Sequence, residues 1–129
     1  MNKSPGHQKW PDHEVQEQHI NQHVQANING EILAASNDVI KVNEDQHPPR
    51  YYFPRSNVQM GKLERSPTTT VCVFKGTAHY YHLKLSDQVV EDAAWTYEHP
   101  YDEHLDLKDR IAFYSDKIRG FHIGQETKT

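Results

Sequence analysis

The sequence predicts a small, mostly β fold: a single compact, twisted antiparallel sheet domain with one or two short helical turns and an extended N-terminal arm. Three observations predict it. Six or more short stretches rich in Val, Ile, Thr, Tyr and Phe recur along the chain, each bounded by turn residues. Where periodicity is visible within them it is the two-residue alternation of a half-buried strand, not the spacing of a helix. The chain has 129 residues, 35 % of them hydrophobic, which is enough for one modest core and marginal for two.

The elements follow in order. Residues 1–23 are dominated by Gln, His, Lys, Asn and Pro, with Trp10, Val15 and Ile20 as the sizeable apolar anchors, and read as the arm. The β-rich domain is expected over 24–123, with a tail over 124–129. Between Val24 and Ser36 the dipeptide Asn29-Gly30 suits the positive φ angles of a type I′ turn, so a hairpin is expected there. Asp38-Val-Ile-Lys-Val-Asn-Glu44 alternates in part and should be the third strand. Gln46 to Pro54 contains three prolines, which remove ladder donors, so this aromatic stretch reads as an ordered loop and not a central strand. Ser56 to Leu63 suits a helical turn, closed by a turn at Ser66-Pro67. Thr68–Val73, Thr77–Leu85 and Gln88–Tyr97 read as the central antiparallel strands. A short helix over Asp102–Leu107 and two last segments, Arg110–Tyr114 and Lys117–Ile123, complete the chain.

Composition narrows the function classes. The net charge is −4, and Lys and Arg are scattered, so the basic footprint of a nucleic-acid binder is missing. No apolar run approaches the roughly 20 residues that span a bilayer, and Met1 to Asp12 holds no apolar signal segment, so no membrane partner and a cytoplasmic location are expected. The single cysteine, Cys72, excludes an internal disulfide and a four-cysteine zinc cage. Ten histidines are dispersed without a His-x-His or His-Glu-x-x-His pair, so neither a metal site nor a cofactor is expected.

Several stretches resemble one family: Gly6-His-Gln-Lys9, Asn29-Gly-Glu-Ile-Leu-Ala-Ala-Ser36, Glu44 with Pro49-Arg-Tyr-Tyr-Phe-Pro54, Thr70-Val-Cys-Val-Phe-Lys-Gly-Thr-Ala-His-Tyr80, Ala94-Trp-Thr-Tyr97 and Ile111-Ala-Phe-Tyr114. Together they are similar to the domain of unknown function 427. The resemblance implies a twisted-sheet fold of the β-tent (Mss4-like) kind with no established activity. The family often has an arginine after the Ser36 position, where this chain has Asn37 and Asp38, so an anion site built on that arginine is not expected. A nucleotidyltransferase-like label has also been given to the family. Neither Gly-Ser followed by Asp-x-Asp nor a phosphate-cradling glycine loop is present to support it.

The richest constellation for chemistry is Thr70, Cys72, Lys75, Gly76 and His79. In a strand running into a turn, alternation places Thr70 and Cys72 on one face, and Gly76 allows a ligand or another backbone to come close. Lys75 could bind an anion or serve as a base, and Glu44 could pair with Lys75 or Arg50 across a cleft. Cys72 is a candidate nucleophile with His79 as partner, set against the commoner role of a small buried hydrophobe. Tyr51, Tyr52, Trp95 and Tyr97 could line a pocket or simply fill the core. The candidate catalytic residues are therefore Lys75, Glu44 and Cys72, and the candidate ligand-binding residues are Ser36, Tyr52, Thr70, Gly76, Trp95 and Tyr97. These point to a domain binding a small polar molecule, with catalysis open. The alternative is a protein-interaction or homodimerisation module without catalysis, using the polar arm and the proline-rich loop.

Overall fold

The structure, a computed structural model, describes residues 3–125. Its elements are α1 (Pro5–Lys9), β1 (Val15–Ile20), β2 (Val24–Ile28), β3 (Glu31–Ser36), β4 (Val39–Glu44), β5 (Arg50–Tyr52), β6 (Leu63–Cys72), β7 (Gly76–Lys84), β8 (Val89–Tyr97), β9 (Ala112–Phe113) and β10 (Phe121–Gln125). Short 3-10 turns occupy Arg55–Asn57, Met60–Lys62 and Asp102–Leu107. The protein is mostly β, with antiparallel pairing throughout its sheets. The strands form three sheets and not one, ordered β1-β4-β5, β10-β2-β3 and β6-β7-β8-β9.

The change of sheet has a local cause. β2 and β3 form the expected hairpin, with Asn29 and Gly30 at φ 50° and 86°, as the type I′ turn requires. Two residues beyond the end of β3 the Asp38 N–H donates to Ser36 Oγ at 2.9 Å, which turns the chain so that β4 leaves β3 and pairs with β1 and β5. The expected turn at Ser66-Pro67 is instead an irregularity inside β6. The register jumps between Arg65 and Thr69, and the Thr68 N–H donates to Ser66 Oγ at 3.0 Å. Pro67 is tolerated because β6 lies at the edge of its sheet, where a missing donor costs no ladder bond.

The N-terminal stretch is more ordered than an extended arm. Ser4 caps α1 by accepting the His7 N–H at 3.2 Å, with Pro5 in the first turn. β1 then pairs along all of β4 despite its polar sequence, since an edge strand needs backbone bonds and one sheltered face more than apolar side chains. At the other end, β10 includes Gly124 and Gln125 of the expected tail, and residues 126–129 lie outside the described residues.

Two apolar clusters fill the interior. The larger includes Val24, Leu33, Phe53, Leu83, Ile111 and Phe113. The smaller gathers Ile40 and Val42 of β4, Tyr52 of β5, Ala78 and Tyr80 of β7, and Trp95 and Tyr97 of β8. Period-two alternation carries Glu44 onto the same face as Ile40 and Val42, so β4 delivers a carboxylate to the rim of an aromatic cluster. Among the described residues no helix is long and apolar enough to cross a membrane.

Candidate functional site

Between β4–β5 and the β6–β8 sheet lies a cavity of about 360 Å³, lined by Glu44, Arg50, Tyr52, Thr70, Cys72, Lys75, Tyr80, Trp95, Tyr97 and Tyr114 among others. The β6–β7 hairpin supplies one wall. Cys72 pairs with Gly76 at its base, leaving Val73, Phe74 and Lys75 as the loop. The loop is held from behind: the Val73 carbonyl accepts the Gly6 N–H at 2.7 Å and the Ser4 hydroxyl at 2.8 Å, and the Lys75 carbonyl accepts the Tyr101 N–H at 2.9 Å. Gly76 sits at φ +127°, and a Cβ there would stand 3.2 Å from the His99 carbonyl oxygen. Its small size accommodates a neighbouring backbone.

From this loop the Lys75 ammonium donates to Glu44 Oε1 at 2.5 Å, with only 7 % and 13 % of the two side chains exposed. The second Glu44 oxygen accepts from His13 Nε2 at 2.9 Å, and the His13 ring stacks on Phe74 with centroids 4.1 Å apart. Burial pushes the Glu44 carboxyl up, but the hydrogen bonds from Lys75 and His13 and the Lys75 charge outweigh it and hold the group below the usual carboxylate range. Glu44 is thus a poor proton donor at neutral pH, and the pair forms a fixed dipole in the cavity wall.

The aromatic wall is ordered by its own polar contacts. Trp95 Nε1–H donates to the Tyr52 hydroxyl at 3.0 Å, and the Thr70 and Tyr80 hydroxyls share a hydrogen bond of 2.9 Å. Burial pushes the Tyr52 and Tyr97 phenols well above their ordinary value, so both stay neutral and can donate a hydrogen bond. The Arg50 guanidinium lies 4.9 Å from the Tyr114 ring centre and 5.6 Å from that of Trp95, within cation–π range of both. Cys72 is half-buried in the same wall.

Seven of the nine residues singled out from the sequence line this cavity: Lys75, Glu44, Cys72, Tyr52, Thr70, Trp95 and Tyr97. Ser36 does not; its hydroxyl is spent on the turn at Asp38. Gly76 shapes the hairpin without lining the cavity. His79, suggested as a partner for Cys72, pairs with Thr69 and reaches Glu98 at 3.5 Å, away from the cavity lining. Tyr51 likewise turns away, beneath Lys41, because in a three-residue strand only Arg50 and Tyr52 share a face. That same alternation could have placed Arg50 in the cavity. His13 could not have been found so, because it reaches Glu44 from a separate segment.

A second cluster joins α1 to the 3-10 turn Asp102–Leu107. His104, 3 % exposed, has Nδ1 at 2.5 Å from Glu17 of β1 and Nε2 at 2.8 Å from His7 Nε2. The Ser4 N–H donates to Glu103 at 2.9 Å. Among the described residues no group of three or more His, Cys, Asp or Glu is placed to hold a metal ion. Beside the cavity, a shallow groove of about 690 Å³ runs along Trp10, His13, Val73 and Phe74.

The family model described as a domain of unknown function (DUF427) matches residues 16–124, from β1 into β10 and so without α1. No curated protein matches the chain.

Proposed function

The chain belongs to the family described as a domain of unknown function (DUF427), and we propose that it binds a small polar molecule in the cavity lined by Lys75, Glu44, Tyr52, Trp95 and Tyr97. The observation that carries this reading is the buried Lys75–Glu44 pair standing in the wall of a concave, aromatic-lined space. A buried ion pair adds little net stability over apolar residues of the same volume, so a pair placed where a ligand can reach it is better accounted for by recognition. Lys75, Glu44 and Cys72 are the groups able to carry chemistry on such a ligand.

A thermal-shift screen against nucleotides, sugar phosphates, short aldehydes and organic acids tests this proposal. A compound that raises the Tm of the wild type but of neither Lys75→Ala nor Glu44→Ala is the expected result. No stabilisation by any compound, in a protein that self-associates, would favour the interaction module. One observation supports that second reading: Trp10, Val71 and Val73 are 47 %, 71 % and 39 % exposed, at or beside the groove. A concentration-dependent increase in mass, abolished by Trp10→Ser, would establish it.

A further inference from the structure

The cavity carries a charge of the opposite sign to the protein. Its charged lining residues are two cations, Arg50 and Lys75, and one anion, Glu44, so the wall is net positive within a chain of net charge −4. Lys75 is matched by Glu44 across a buried contact. Among the described residues Arg50 is matched by Asp116 alone, through a single hydrogen bond of 2.9 Å from Nη1, and the Asp116 side chain is 63 % exposed while that of Arg50 is 17 % exposed. A guanidinium has five N–H donors in a planar fork suited to two carboxylate oxygens. Among the described residues, Asp116 is the one acceptor hydrogen-bonded to that fork. An exposed ion pair is worth roughly 0–1 kcal/mol, so Asp116 is a weak internal competitor for this site.

The neighbours of Arg50 define the rest of the ligand. Tyr114 and Trp95 lie beside the guanidinium, and Tyr52, Tyr80 and Tyr97 supply further aromatic wall. Tyr97 is 5 % exposed and lines the cavity, and burial keeps its phenol neutral. A neutral phenol at the cavity wall can donate a hydrogen bond to an acceptor placed there. Building on the cavity reading above, we propose that the ligand is a small organic carboxylate with a flat, mainly apolar body, its carboxylate bound by Arg50 in place of Asp116 and accepting from Tyr97, its body lying against the aromatic wall. A phosphate dianion is less well matched, because it calls for a second unneutralised cation and Lys75 is already paired.

The test uses the full chain labelled with nitrogen-15, read at its two indole N–H signals, since Trp95 faces the cavity and Trp10 does not. Benzoate, benzyl alcohol and phenyl phosphate are titrated in turn. Benzoate should move the Trp95 signal saturably and bind about tenfold tighter than benzyl alcohol, the gain expected of a charge-assisted hydrogen bond. Arg50→Gln should abolish that preference, and Asp116→Asn, which removes the competitor from an exposed site, should tighten benzoate severalfold. Equal binding of benzyl alcohol and benzoate would overturn the carboxylate site while leaving a cavity that binds small molecules. Tighter binding of phenyl phosphate would overturn it in favour of a phosphate site. A Trp95 signal that none of the three moves would overturn this inference, while the thermal-shift screen decides the cavity reading separately. If Arg50→Gln does not fold, the wild-type comparison and Asp116→Asn still decide.

Discussion

Lys75 and Glu44 depend on each other more than any other two side chains in the cavity wall. Removing Lys75 leaves the buried Glu44 carboxylate with its hydrogen bond to His13 but without its cation, so Lys75→Met should destabilise the fold by about 3 kcal/mol. Adding Glu44→Gln should recover most of that loss, and a double-mutant cycle by urea denaturation measures the coupling. The pH dependence has a defined sign. The Glu44 carboxyl is held below its ordinary value in the folded state, so its contribution is full above the unfolded carboxylate value of about 4.3 and is lost as pH falls through the lower folded value. Gly76 gives a second prediction. Its φ of +127° and the 3.2 Å approach to the His99 carbonyl oxygen make Gly76→Ala destabilising by about 1–3 kcal/mol, measurable in the same denaturation series. The sequence made Lys75, Glu44 and Cys72 visible because strand alternation and a turn lysine are local signals. It made Ser36 look equivalent to them because nothing local distinguishes a hydroxyl that closes a turn from one that faces a ligand.

At the scale of elements, α1 acts as a clamp on the hairpin loop that presents Lys75. Gly6 packs so closely that a Cβ would fall 2.7 Å from the Val73 carbonyl oxygen, and His7 meets His104 ring to ring. Two imidazoles joined by their Nε2 atoms cannot both carry a full set of protons, so one must donate and the other accept. Burial and the neighbouring His104 lower the His7 value, with His13 and Lys75 acting in the same direction and Glu103 opposing, while Glu17 faces His104 from β1. A lowered folded value means that docking is full above the ordinary histidine value of about 6.5 and weakens as pH falls below it. Hydrogen-exchange protection factors for the α1 amides should therefore be lower at about pH 5.5 than at about pH 7.5, and His7→Gln should flatten that difference. Equal protection at both values would show that α1 is held by its backbone bonds alone. The sequence hid this element because its apolar content is low: α1 is fastened by Ser4, Gly6 and His7, whose partners at Val73 and His104 are distant in the chain.

Across the whole molecule, the approximate limits of β2, β3, β4, β7 and β8 were legible, whereas the number of strands and their pairing were not: β1 lay within the expected arm, and β5 within the expected loop, where Arg50–Tyr52 pairs with the edge of β4. Alternation in β4 and the Asn29-Gly30 turn are properties of neighbouring residues, whereas the division into three sheets depends on a two-residue link at Asn37-Asp38 and on β1, whose polar sequence resembles a tail. The division matters for function, since the cavity lies between sheets and takes Glu44, Arg50 and Tyr52 from one and Thr70, Cys72, Trp95 and Tyr97 from another. A ligand held there ties the two sheets together. Ligand present at about a hundredfold excess over Kd should add roughly 2.7 kcal/mol, a Tm rise of several degrees. This rise, taken with a stabilising compound from the thermal-shift screen, decides whether the buried pair takes part in binding when it is compared between the wild type and the Lys75→Met, Glu44→Gln double variant, whose fold is expected to be of similar stability. A rise in the wild type that is lost in the double variant is the predicted result. An equal rise in both would contradict the claim, because the ligand would then bind without reference to the buried pair.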